Sequence, residues 1–257
     1  MKLTLKRFKK DTGRRSFYAL ACMLLLGSAG AFAQVSAYSR TPLSGLTYTQ
    51  IAGGTVINTD AQLASGNQND GTVVVILPFT FTYDGNPFTQ ITFSTNGWIG
   101  MGNQSAVTVV QASYLFSALA PNNTIAPWMG NLAGNWPMPA GNGSMAHGLV
   151  GTDAYAFEWR NVNSNSTPTL LTTTDNVNFK AILYGPASAT PGRIEFLYGP
   201  TTGSILTGAS KAIGMENSTG GAGNYLNAID GFSNTSSPPN AWPGNGAGYR
   251  FDPPVVC

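Results

Sequence analysis

The chain has 257 residues, of which 42% are hydrophobic and only 9% charged, and its formal net charge is +2. Seven of the 13 basic residues and one of the 11 acidic ones lie in residues 1–33, so the remainder has six basic and ten acidic residues and a net charge of −4. That balance excludes a basic nucleic-acid surface, which needs Lys and Arg to neutralise phosphates.

Residues 1–33 read as a signal peptide. Lys2, Lys6, Arg7, Lys9, Lys10, Arg14 and Arg15 form a basic start. An apolar run centred on Met23-Leu24-Leu25-Leu26 follows, and Ala31-Phe32-Ala33 is a small-x-small cleavage signal. The run is short for a membrane span, which needs about 20 apolar residues. Cleavage makes Gln34 the first residue and predicts a secreted product that is periplasmic, extracellular or on the cell surface. Cys22 leaves with the peptide, so Cys257 is the remaining thiol. A disulfide framework and a Cys-based metal site are both excluded.

Residues 34–252 read as one all-β domain, an antiparallel β-sandwich or jelly-roll-like fold. Gln34 to Gly71 is a polar lead-in, with a short first strand at Tyr48–Ile51 ended by Gly53-Gly54. Asn67-Gln68-Asn69-Asp70-Gly71 is a turn whose side-chain oxygens are candidate Ca²⁺ ligands, although the EF-hand register is missing. Thr72 to Met101 organises the domain. Val73, Val75, Leu77, Phe79, Phe81 and Tyr83 alternate with Thr80 and Thr82, the period-two pattern of a half-buried strand. Asp84 to Pro87 marks a turn. Ile91, Phe93, Ile99 and Met101 then share a face, interrupted by Asn96-Gly97, a tight turn or a bulge.

Further along, Leu115–Leu119 is a brief helical turn or strand, and Ile125–Met129 is apolar. Pro137 to Gly148 is a loop by composition. Ala154–Arg160 points Tyr155, Phe157 and Trp159 inward, with Glu158 and Arg160 outward. Val177–Tyr184 buries Val177, Phe179, Ala181 and Leu183. Arg193–Tyr198, Ala212–Met215 and Gly244–Phe251 complete the strands. The expected core is Phe79, Phe81, Phe93, Phe157, Trp159, Phe179 and Phe196.

Seven segments in order carry a resemblance: Leu77–Tyr83 (LPFTFTY), Ser94–Trp98 (STNGW), Ile125–Trp128 (IAPW), Glu158–Val162 (EWRNV), Asn178–Tyr184 (NFKAILY), Arg193–Gly199 (RIEFLYG) and Ile213–Glu216 (IGME). The series resembles the N-terminal β-sandwich modules of secreted and cell-surface Bacteroidetes proteins. Those modules often precede fibronectin type III repeats or a type IX sorting domain. The resemblance implies a surface-protein module. Relatives commonly have two acidic residues after the IAPxW segment, where this chain has Gly130-Asn131. A cation site built on those acids is therefore not expected here.

The residues argue against catalysis. His147 is the lone histidine and sits in a Gly-rich stretch. Ser144 lacks a G-x-S-x-G setting. Glu158, Glu195 and Glu216 fall on or beside separate strands. Glycosidase carboxylates stand about 5–9 Å apart, but Glu158 with Arg160 and Arg193 with Glu195 read instead as ion pairs on a solvated face. No catalytic or metal-binding residue is assigned. Trp136 and Trp242 lie in Pro/Gly/Asn-rich loops and are the candidate ligand-binding residues, suited to stacking on a sugar. The expected function is a non-catalytic extracellular module of adhesive or architectural role, with glycans or other surface proteins as partners. The alternative is a carbohydrate-binding module using loop aromatics, and a jelly-roll glycosidase stands third. Residues 253–257 (PPVVC) read as a stiff exit toward a following module, with Cys257 a free thiol. They suggest the N-terminal part of a longer protein, or a truncated reading frame of one.

Overall fold

A computed structural model of the protein describes residues 34–108, 112–134, 143–163, 176–203, 211–228 and 242–255. In chain order its strands are β1 (Ser39–Leu43), β2 (Thr55–Ile57), β3 (Ser65–Gly66), β4 (Gly71–Tyr83), β5 (Asn86–Ser94), β6 (Ile99–Met101) and β7 (Thr124–Met129). The second half contributes β8 (Ser144–Val150), β9 (Ala154–Asn163), β10 (Asn176–Tyr184), β11 (Ile194–Tyr198), β12 (Ala212–Glu216), β13 (Tyr225–Asn227) and β14 (Gly248–Asp252). They form two seven-stranded antiparallel sheets. The first runs β1-β14-β11-β10-β9-β8-β2 and the second β13-β12-β7-β6-β5-β4-β3. The expected sandwich is what the chain forms, with a four-strand meander at the centre of each sheet.

The core lies between the two inner faces. Phe81, Phe93, Phe157, Trp159, Phe179 and Phe196 are buried there as their alternation predicts. Phe93 packs edge-on to Phe157 and Trp159, at 5.2 and 4.8 Å between ring centres, and Trp159 stacks on Phe179 at 4.6 Å. Polar tips also cross the core. The Trp159 indole N–H donates to the Ser94 carbonyl at 2.8 Å, and the Tyr198 hydroxyl to the Pro127 carbonyl at 2.6 Å. Tyr83 O–H reaches the Glu216 carbonyl at 2.7 Å. Buried Tyr and Trp normally find such partners, and these three fasten one sheet to the other or to its neighbouring strands.

Several local expectations change. The β4–β5 turn is only Asp84-Gly85, with φ of +51° and +76°, and Asn86 and Pro87 already belong to β5. Two positive φ values are what a right-twisted two-residue hairpin requires. Asn96-Gly97 likewise separates two strands, β5 and β6. Its Asn96 side chain is buried and ties three segments together: it donates to Asp70 Oδ1 and the Thr108 carbonyl and accepts from Leu132 N–H. Phe79 is half buried rather than core. It falls where the β4–β5 register slips, between Ile76 and Phe81, and four residues of β4 stand against one of β5.

Tyr48–Ile51 is not a strand. The first strand is β1, whose Pro42 is tolerated because β1 lies at a sheet edge. Leu115–Leu119 gives way to a 3-10 turn at Ala112–Phe116. Ser144–Gly148, expected as loop, lies in β8. Small residues hide that strand in the sequence, yet the fold needs them: Gly148 comes so close to Gly54 that an added Cβ would stand 2.9 Å from the Gly54 Cα.

Candidate binding surface

Each outer face of the sandwich is partly roofed by chain that is not strand. On the first sheet, residues 48–51 lie over Glu158, which has no exposed surface. Its carboxylate accepts from Tyr48 O–H at 2.8 Å, from Ile51 N–H at 2.9 Å and from Arg160 Nε at 2.8 Å. Arg160 in turn donates to the Ile51 carbonyl, and Lys180 Nζ to the Thr49 carbonyl at 2.6 Å. The Glu158–Arg160 pair is therefore real but is buried under this strap, not solvated as its outward position suggests.

The carboxylates are not brought together. Glu195 is on β11, separated from Glu158 by β10 and its Lys180 and Ile182. Glu195 accepts from Tyr184 O–H, and its expected partner Arg193 is 4.0 Å away because Arg193 pairs more closely with Asp252 at 2.6 Å. Glu216 is in the other sheet. Ser144 and His147 sit three residues apart on β8 and so point to opposite faces. His147 Nδ1 is 2.7 Å from the Tyr155 hydroxyl, and burial pushes its pKa below the usual histidine range, which favours neutral imidazole. Of the side-chain oxygens of the 67–71 turn, those of Asn67 and Asp70 are engaged, and Asn69 Oδ1 is buried without a partner. Asn67 Oδ1 accepts from Asn69 and Asp70 N–H, and Asp70 binds the side chains of Asn69 and Asn96. Among the described residues no three His, Cys, Asp or Glu side chains cluster as metal ligands.

Of the two candidate tryptophans, Trp136 lies outside the described residues. Trp242 is half buried and wedged against the core, 5.0 Å from Trp128, 5.2 Å from Tyr198 and 6.2 Å from Phe179 between ring centres, all edge-on. A sugar-stacking platform presents an open ring face, and this ring is surrounded on several sides.

The open surface lies elsewhere, along β4. Strand β3 covers only Gly71 and Thr72, so from Val73 onward β4 is a sheet edge among the described residues. On the first sheet β2 covers only Met145 to His147 of β8. Between these two short guards runs a trough of three adjoining depressions. One of about 370 Å³ lies between Ile76–Pro78 and His147–Leu149. The next, about 190 Å³, is bounded by Phe79, Leu149 and Pro186. The last, about 230 Å³, is lined by Tyr38, Thr80, Thr82, Tyr184 and four prolines, Pro186, Pro191, Pro253 and Pro254. Ile76 is 69% exposed and Leu149 49%, and both line the first depression. Sequence reading passed over Ile76. The available signal was the unbroken run Val73-Val74-Val75-Ile76-Leu77, apolar on both faces of a strand that has core on only one.

Among the described residues no helix is long and apolar enough to cross a membrane. Comparison with curated proteins and with solved structures gives no match. Residues 37–253, nearly the whole of the sandwich, match the family model described as NIDO related, and the chain belongs to that family.

Proposed function

We propose that this NIDO-related domain is a non-catalytic extracellular module that holds a partner protein along the β4 trough, in an adhesive or architectural role. The observation that carries the reading is the exposed aliphatic pair Ile76 and Leu149, beside an uncovered strand. An uncovered strand edge offers a row of backbone donors and acceptors, and main-chain pairing plus alternate side-chain pockets is a recurrent way of holding an extended segment. Contiguous exposed apolar surface marks interaction sites more often than chance. Three of the four acid–base candidates support the same reading, since Glu158, Glu195 and His147 each hold a structural partner, and the fourth, Glu216, lies in the other sheet, away from them. The basic, then apolar, then small-residue order of residues 1–33 supports export, as does the resemblance to secreted and surface modules.

The test is an array of extracellular proteins and glycans probed with wild type, Ile76→Lys and Trp242→Ala. Protein binding lost in Ile76→Lys and kept in Trp242→Ala is the expected result. Glycan binding that fails in Trp242→Ala and survives in Ile76→Lys overturns it in favour of a carbohydrate-binding module. Intact mass of secreted material should correspond to a chain starting at Gln34.

A further inference from the structure

The outer face of the second sheet buries a carboxyl group without a partner. Glu216, at the end of β12, has no exposed surface, and neither of its carboxylate oxygens has a hydrogen-bond partner. Its neighbour Met215 lies opposite Ile125 and faces the core. One step along the same ladder, where Asn123 N–H donates to the Asn217 carbonyl at 2.9 Å, Glu216 stands opposite Thr124. Both then project from the outer face, and directly opposed side chains start about 4.5–5.5 Å apart at Cβ. Thr124 is also fully buried, and its Oγ1 has no partner. Asn122 Oδ1 is a fourth buried oxygen without a partner. It points at the loop leaving Glu216: a Cβ on Gly220 would lie 2.7 Å from it. The 3-10 turn Ala112–Phe116 roofs this corner, with the Phe116 ring 5.0 Å from that of Tyr225, the residue opposite Glu216 on β13.

No cation of the domain faces this group. Outside residues 1–33 the basic side chains are six. Arg160 holds Glu158, and Arg193 and Arg250 hold Asp252. Lys180, Lys211 and Arg40 bind the carbonyls of Thr49, Asn131 and Asn227. The other ionisable groups on the surrounding elements are phenols: Tyr114 on the roof, Tyr225 on β13 and Tyr83 from the core. A buried carboxyl without a counter-charge takes up a proton or a cation. The unpartnered side-chain atoms placed at this corner are the carboxyl, a hydroxyl and an amide oxygen. That donor set selects a hard cation.

We propose that Glu216, Thr124 and Asn122 form an oxygen-lined site for Ca²⁺ beneath the 3-10 turn. Ion and proton compete for one carboxyl: the protonated site takes up Ca²⁺ and releases one proton. With one carboxylate the site falls in the weak class, with an apparent Kd at pH 7.5 of about 10⁻⁴–10⁻³ M, as in many extracellular modules.

The test is thermal unfolding and calorimetric titration of the purified protein with CaCl₂, MgCl₂ and EDTA at pH 6.5 and 7.5. The expected result is a Tm that rises with Ca²⁺ and not with Mg²⁺. The midpoint should be about tenfold lower at the higher pH, with one proton released per ion in paired buffers. Glu216→Gln should fold in EDTA and lose the response, and Thr124→Val should weaken it. A Tm unmoved by 10 mM Ca²⁺ at both pH values would overturn the site. So would a full response in Glu216→Gln, which would put the ion elsewhere, or, should that variant not fold, an undiminished response in Thr124→Val.

Discussion

The two outer faces of the sandwich bury one glutamate each, and they treat it in opposite ways. Glu158 lies under a strap that brings it a hydroxyl, a backbone N–H and, from its own strand, a guanidinium. Glu216 lies under a turn that brings Leu115 and Phe116 to the same face and gives its carboxyl no hydrogen bond. Burial is equal and partners are not. The roof, not the strand, decides the state of an outward carboxyl. The first face is a closed ionic network, and the second holds a group whose charge depends on pH and on ions.

The largest effects should come from β9, where neighbouring residues on opposite faces are both costly. Phe157→Ala removes a fully buried ring and should cost about 3–5 kcal/mol. Glu158→Ala should cost about as much, because it leaves the mostly covered Arg160 without its carboxylate and strands the Tyr48 O–H and the Ile51 N–H. Urea titration of both variants checks this. A loss below about 1 kcal/mol for Glu158→Ala would mean that the strap does not seal that face.

Glu216 should behave in the opposite sense. Its folded pKa is raised, so between about pH 4.5 and 10 the folded state holds a proton that the unfolded state has released. Stability in EDTA should therefore fall as pH rises, by up to about 1.4 kcal/mol per unit. Lys211, whose pKa burial pushes down to about 8, contributes with the opposite sign from there to its ordinary value. The Glu216 slope should thus stand clear between pH 6.5 and 8, above the histidine range. Glu216→Gln should flatten it and gain about 2–4 kcal/mol at pH 7.5. Urea titrations at a series of pH values decide the matter, and equal slopes for the two proteins would refute it.

A smaller effect sharpens the first face. Tyr48→Phe deletes one hydrogen bond to Glu158 and keeps the ring over Lys180. It should cost about 1.5–3 kcal/mol by urea titration, less than removal of the carboxylate.

These contrasts also show what was legible in the sequence. Alternation in β4, β9, β10 and β11 assigned inward and outward sides correctly, because a strand's period is set by backbone geometry. It could not say whether an outward side is wet. The group that seals Glu158 is Tyr48, 110 positions away in the chain, in a segment that forms no strand. Read as a strand, that segment gave no hint of its role as a strap. Glu216 was visible as one more carboxylate, but its lack of a partner depends on the 3-10 turn above it. Strand β8 escaped notice because close backbone approach at Gly148 demands small residues, the same residues that mark loops.

The smallest stability effect belongs to the trough, which neither roof covers. Ile76 points away from the core, and most of its surface already meets water. Replacing it by lysine removes little buried apolar area and adds a charge where water can solvate it. Surface changes of that kind shift stability by no more than about 0.5 kcal/mol. The charge should nevertheless act on association, since a lysine on a strand edge is a common natural block to pairing with another strand. Ile76→Lys should therefore unfold at nearly the wild-type urea midpoint while losing its protein partner. Wild-type midpoint together with undiminished binding would remove the trough from the function. A large fall in midpoint would show instead that Ile76 is packed in solution, and that the edge of β4 is closed like the face over Glu158.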